Sequence, residues 1–329
     1  MSLILFRDSV LNLKLEICKV LFAVCLLLLS LPTDAKDIES YELTNSEILL
    51  ELEYSNKSIE PYTDRLVSLV DMYLVEGEKL FGGPPKKLDG SAYTKLRIKL
   101  SKISKGLGGE ADPEQIEFRL SDSKLFGFYG WEIGILHEVL HLWSAETFRY
   151  QDDQEQWFNE GVTEYLTFRL AAKLGLIEKS HVIDVFSKPI STYLSAKGIG
   201  KYSLRSAAST KELKRDHYFL VYHGGFVAGM VLDHQIRLKS NRKFTLEDLM
   251  SQMYDRFSRD KLYTSNSILE LINESFGLDF SSFFERHIDG NEVILVGDYF
   301  DFGMLTFSEF GVPIKGINQQ VLHDMLDFE

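Results

Sequence analysis

His137 and His141 flank Glu138 in the run His137-Glu138-Val139-Leu140-His141, and after eighteen intervening residues Glu160 stands in Trp157-Phe158-Asn159-Glu160-Gly161. Four residues advance an α-helix by roughly 400° and about 6 Å, so two imidazoles at that spacing leave one face together and can grip one ion. A catalytic zinc takes three protein ligands and keeps a fourth position for water, and a carboxylate beside that water can accept its proton. The residues therefore divide into two nitrogen ligands, His137 and His141, a carboxylate ligand, Glu160, and a base, Glu138, around one Zn2+ ion. The bare pentapeptide arises by chance in roughly one chain in a hundred of this composition, so the whole set carries the reading. The plain alternatives are a helix with two half-buried histidines, and a Glu160 carboxylate favoured near a helix N-terminus by the macrodipole. A glycine at 144 and a histidine at 147 would supply a third imidazole; the chain has Ser144 and Thr147, which leaves the third position to Glu160.

These residues need two neighbouring helices. Residues 131–148 are apolar nearly all round, as a buried active-site helix is, and residues 159–174 read as a second helix stopped by Gly175. The polar stretch 149–156 between them suits a short excursion that returns Glu160 to the histidines. Upstream, Leu50, Leu52 and Tyr54, then Leu96, Ile98 and Leu100, then Ile116, Phe118 and Leu120 alternate with polar residues and predict at least three strands. Between the first two lies a helical pattern, Tyr62, Leu66, Leu69, Tyr73 and Leu80, opened by Pro61 and closed by Gly82-Gly83-Pro84-Pro85. Residues 176–215 are mixed and read as substrate-facing loops. A helix is expected over 216–239 with Asp216 as its N-cap; His217 and His223 in its first turns read as solvated or hydrogen-bonded helix residues rather than ligands. Thr245 and Asp279 mark two further helix starts. The fold class is α+β: a small N-terminal sheet subdomain over 36–130, then a mainly helical subdomain over 131–305 with the zinc site between them, and a tail over 306–329.

Residues 1–35 read as a signal peptide: Lys14 and Lys19 precede the apolar run 20–31, and Thr33-Asp34-Ala35 offers small residues for cleavage. The expected location is periplasmic or secreted, with no stable membrane association unless the signal stays on as an anchor. Both cysteines, Cys18 and Cys25, fall inside this segment, which removes disulfides and thiol catalysis from the remaining chain. Net charge is −13, and Arg7, Lys14 and Lys19 cancel Asp8, Glu16 and Asp34, so cleavage leaves it unchanged. That balance argues against nucleic acid and anionic membrane surfaces as partners.

From residue 60 to about 305 the sequence resembles the thermolysin-like zinc peptidases called gluzincins, and most closely the glycyl aminopeptidases. The resemblance rests on the two motifs above, continued through Leu142-Trp143 and through Val162-Thr163-Glu164-Tyr165. It extends to Tyr222-His223-Gly224-Gly225, Leu232-Asp233-His234-Gln235-Ile236-Arg237 and Phe283-Phe284-Glu285-Arg286-His287. It implies a thermolysin-like fold, a peptide substrate, and a tyrosine that supports the oxyanion, here Tyr222, with Tyr218 one turn earlier as the alternative. Where the family places a lysine after that tyrosine the chain has Gly224. The family's Gly-Gly-x-Glu-His loop has its nearest counterpart in Gly106-Leu107-Gly108-Gly109-Glu110-Ala111, without the histidine. Residues 36–60 leave no room for the family's N-terminal β domain, and no PDZ-like module follows residue 305.

The implied reaction is peptide hydrolysis, aminopeptidase-like, with the substrate paired along an edge strand expected at 93–103. Glu138 serves as base and then as acid. Glu164, one turn beyond Glu160, is either a group that orients the ligands or an exposed helix carboxylate. Two other functions stay open: an endopeptidase with an open cleft, and an inactive zinc-binding interaction protein, against which the intact Glu138 argues.

Overall fold

Leu96, Ile98 and Leu100 are buried while Lys95, Arg97 and Lys99 between them are only half-buried, the alternation of a strand with one face on a core. A computed structural model describes residues 37–54, 59–121, 130–178 and 181–300. The signal segment 1–35 and the tail 306–329 lie outside the described residues. Five strands, β1 (Asp37–Glu42), β2 (Leu49–Tyr54), β3 (Lys95–Lys102), β4 (Leu107–Asp112) and β5 (Gln115–Leu120), form one sheet in the order β1-β2-β3-β5-β4. β2 and β5 both run parallel to β3, and β4 runs antiparallel to β5.

This order corrects the expected substrate edge. β3, within 93–103, is hydrogen-bonded on both sides and offers no free ladder, whereas β4 has no strand beyond it among the described residues. β4 escaped the alternation test because Leu107-Gly108-Gly109-Glu110 is glycine-rich and of low intrinsic strand preference. Its strand state comes from pairing with β5 across a two-residue turn, in which Pro113 presets φ and Glu114 sits at φ 57°.

Helix α1 (Thr63–Phe81) follows Pro61 and stops at Gly82, which is left-handed at φ 86°. α2 (Trp131–His141) lies against β4 and β5 and widens into a π-helical turn, Leu142–Thr147. A second π turn, Trp157–Val162, runs into α3 (Thr163–Lys173), closed by Gly175 at φ 73°. The stretch read as loops holds three helices: α4 (Val182–Leu194), α5 (Leu204–Ala208) and α6 (Lys211–Asp216). α4 carries a helical apolar repeat, Val182, Val185, Phe186, Ile190 and Tyr193, with Pro189 inside it, whereas the other two are too short to show one. Asp216 caps nothing; it ends α6, which Thr210 has already capped, and pairs with Lys197, while α7 (Tyr218–Lys239) starts after His217. α8 (Leu246–Arg256) opens on the expected Thr245 cap, closed into a capping box by Asp248. α9 (Ser265–Phe276) and a short helix with a third π turn complete the described chain.

One buried carboxylate ties these helices together. Asp233 accepts from Tyr165 at 2.8 Å, pairs with Arg169 and Arg237 at 3.0 Å each, and receives the backbone N–H of Leu246 at 3.0 Å. α3, α7 and the start of α8 therefore converge on one fully paired charge, the arrangement a buried ion requires.

Candidate metal centre

α2 delivers His137 and His141 one turn apart, with rings edge to face at 4.5 Å between centroids and their Nε2 atoms 3.0 Å from each other. The π turn that precedes α3 brings Glu160 to the same point: its Oε2 lies 3.3 Å from His141 Nε2 and 3.6 Å from His137 Nε2. Three donors held at 2.0–2.1 Å from one tetrahedral ion stand about 3.3 Å apart. The observed separations scatter around that value, and among the described residues this is the one cluster of three such donors. The set of two imidazoles and one carboxylate oxygen suits zinc.

His141 is held from behind. Its Nδ1 lies 3.1 Å from Ser144 Oγ, which accepts from Thr163 Oγ1 at 2.9 Å and itself donates toward the Leu140 carbonyl at 3.4 Å. With both of those roles filled, Nδ1 must carry the proton that it gives to Ser144, which leaves the Nε2 lone pair facing the centre. Ser144 stands one turn beyond His141 on the same helix, so the spacing would have revealed it. Glu164 does not touch the ligand imidazoles through a hydrogen bond; it lies 3.8 Å from His223 Nε2. Burial pushes its carboxyl up to about 7, and burial pushes the His223 imidazole down to about 4, so both are largely neutral near pH 6. Neither His217 nor His223 reaches the centre; His217 Nδ1 faces the Lys197 carbonyl at 2.9 Å.

Glu138 is buried against the edge strand. Burial pushes its carboxyl up to about 7, against the opposing pull of His137. Glu160 behaves oppositely: burial disfavours its charge, but the adjoining His137 and His141 side chains and the charge of Lys214 hold it well below the usual carboxylate range. Tyr222 lines the same cleft, its ring stacked on Tyr218 at 4.1 Å; burial and the Glu160 carboxylate push its phenol well up. Lys214, which no sequence pattern singled out, bonds Glu160 from α6.

The donors open into a cleft of about 730 Å³ lined by residues of β4, α2, α3 and the start of α7. Among the described residues, Asn159 Oδ1 and Glu164 Oε2 line it, buried and with no hydrogen-bond partner. Gly109 is where β4 touches the chemistry, because a Cβ there would overlap the Glu138 carboxylate. Gly109→Ala should therefore leave folding and zinc content intact and cut turnover about 100-fold, the effect of a reacting group displaced by about 1 Å. Gly108→Ala, whose Cβ would meet only Arg119 at 3.8 Å, is the control and should act as wild type; equal turnover in the two variants would contradict this placement of Glu138.

Residues 135–225 match the family model of the M61 glycyl aminopeptidases. This bears out the resemblance over a narrower span than 60–305, one that includes both motifs and Tyr222. No curated protein matches the chain by sequence. Among solved structures, an aminopeptidase N family protein from Idiomarina loihiensis is similar over 83% of this chain and 50% of its own, at 18% identity and a TM-score of 0.68. The M1 zinc metallopeptidase from Deinococcus radiodurans is similar over 79% of this chain and 53% of its own, at 11% identity and a TM-score of 0.56. A substituted form of that enzyme bound to a Tyr-Ser-Ala substrate gives 10% identity and a TM-score of 0.57. The chain spans about half the length of these structures. They establish its fold, α+β as expected.

Proposed function

We propose that the protein is a zinc-dependent peptidase that cleaves peptides next to a free amino terminus, and that it acts after export from the cytoplasm. The observation that carries the reading is the donor triangle of His137, His141 and Glu160 at zinc spacing, in a cleft that Glu138 and Tyr222 also line. When bound, zinc acidifies a water and polarises the scissile carbonyl. Glu138 takes the proton of the attacking water and returns it to the leaving amine. Its elevated proton affinity suits both halves of that transfer, since a group poised near neutrality can accept and release. Tyr222 keeps its proton because its phenol is pushed well above the ordinary range, so it can donate to the developing oxyanion.

β4, with no strand beyond it among the described residues, supports pairing with an extended substrate, and its Glu110 and Asp112 line the cleft where a substrate ammonium could be met. Export rests on Lys14, Lys19 and the apolar run 20–31. Among the described residues no helix is long and apolar enough to cross a membrane.

The test uses the purified protein. It should carry one zinc per chain, lose activity on chelation and regain it with added zinc. Amino-acid amides and short free peptides should be cleaved and N-acetylated peptides spared. Cleavage of blocked peptides alone would replace the aminopeptidase reading with an endopeptidase; activity indifferent to chelation would end the zinc reading.

A further inference from the structure

Glu160 has two carboxylate oxygens that are used differently. Oε2 faces the two imidazoles, and Oε1 accepts from Lys214 Nζ at 2.9 Å. The ammonium is itself anchored: Nζ donates to Gln156 Oε1 at 2.8 Å, Gln156 Nε2 donates to Tyr150 Oη at 2.7 Å, and Nζ stands 5.2 Å from the centre of the Tyr222 ring. Its side chain is only 23% exposed. Lys214 belongs to α6, whose start is pinned by the Thr210 cap. A carboxylate without such a partner can rotate and offer either oxygen, or both, to an ion. A charge-assisted bond on Oε1 opposes rotation, which would break it, and competes for the electron density that a second contact from Oε1 to the ion would use.

We infer that Lys214 is a positioning residue, delivered by the helix between 211 and 216, that holds Glu160 as a one-oxygen zinc ligand and keeps the fourth position of the site open. The inference rests on the zinc reading above. It assigns to Lys214 neither the base nor the oxyanion role. Outer groups that orient metal ligands typically change affinity 10- to 100-fold when removed, and that sets the expected effect.

The experiment compares full-length wild type, Lys214→Met and Lys214→Arg, each stripped and reloaded. Zinc affinity is read by competition with a chromophoric chelator, coordination by the visible absorption of the Co2+-substituted proteins, and folding by thermal unfolding of the metal-free forms. Lys214→Met should bind zinc about 10- to 100-fold more weakly. Its cobalt spectrum should shift toward the weaker bands of higher coordination, while the metal-free forms unfold together. Lys214→Arg keeps the charge and the reach, and should restore most of the affinity and the wild-type spectrum. Wild-type affinity and spectrum in Lys214→Met overturn the inference. So does a Lys214→Arg protein as weak as Lys214→Met, which would assign the effect to packing. A wild-type protein that binds no zinc fails before any substitution is compared, and takes the zinc reading with it.

Discussion

Glu138→Gln is expected to bind zinc like the wild type and to hydrolyse peptides about 10²- to 10⁴-fold more slowly, the range over which a positioned acid–base group contributes. Glutamine has nearly the volume of glutamate, so the packing of residue 138 under Gly109 is preserved. Zinc content should not change, since the three donors are His137, His141 and Glu160. What is lost is the ability to take a proton and give it back. In energy this corresponds to about 3–5 kcal/mol of transition-state stabilisation. Turnover of an amino-acid amide, measured beside zinc content, decides it: a variant that keeps more than a tenth of wild-type turnover would remove Glu138 from the proton path.

The second large effect is expected at a place with no chemistry of its own. α7 crosses the π turn carrying Glu160 at a contact between two glycines. A Cβ added to Gly161 would come within 2.6 Å of the Gly225 carbonyl carbon and 2.7 Å of the Phe226 nitrogen; one added to Gly225 would strike the Trp157 carbonyl oxygen. These neighbours are backbone and cannot rotate away. Gly161→Ala must push two helices apart in a close-packed interior, at a cost of about 3 kcal/mol. Since Gly161 follows Glu160 and Tyr222 lies one turn before Gly225, the same movement separates the third ligand from the phenol. Reduced thermal stability together with lost zinc affinity is the expected result, read by unfolding with and without the metal. Wild-type values of both would show that the crossing tolerates a methyl group.

Legibility in the sequence followed the range of the interaction. The ends of α1 and α3 were readable because Gly82 and Gly175 take left-handed backbone, a property of one residue. The strand states of β2, β3 and β5 were readable from the period-two alternation of apolar and polar residues, a property of six to eight residues. β4 and the two helices between 204 and 216 were not, since glycines and short length suppress the local pattern while long-range pairing supplies the stability; α4 carries its apolar repeat, but Pro189 inside it argued against a helix. The Asp216 cap failed for a related reason: α6 already carries the chain as helix through that residue.

By itself the sequence determined which atoms could form the centre. Two imidazoles four apart on a helix meet through helical geometry alone, and a carboxylate in the neighbouring motif, with Glu138 in between, follows from the same chain order. Only the tertiary structure decided what surrounds that centre. Strand order made β4 the cleft wall in place of β3, two glycines let α7 approach the turn that carries Glu160, and the packing of α6 brought Lys214 to Glu160 from 54 residues away. Each of those depends on which surfaces far apart in the chain bury one another, and no local periodicity encodes that.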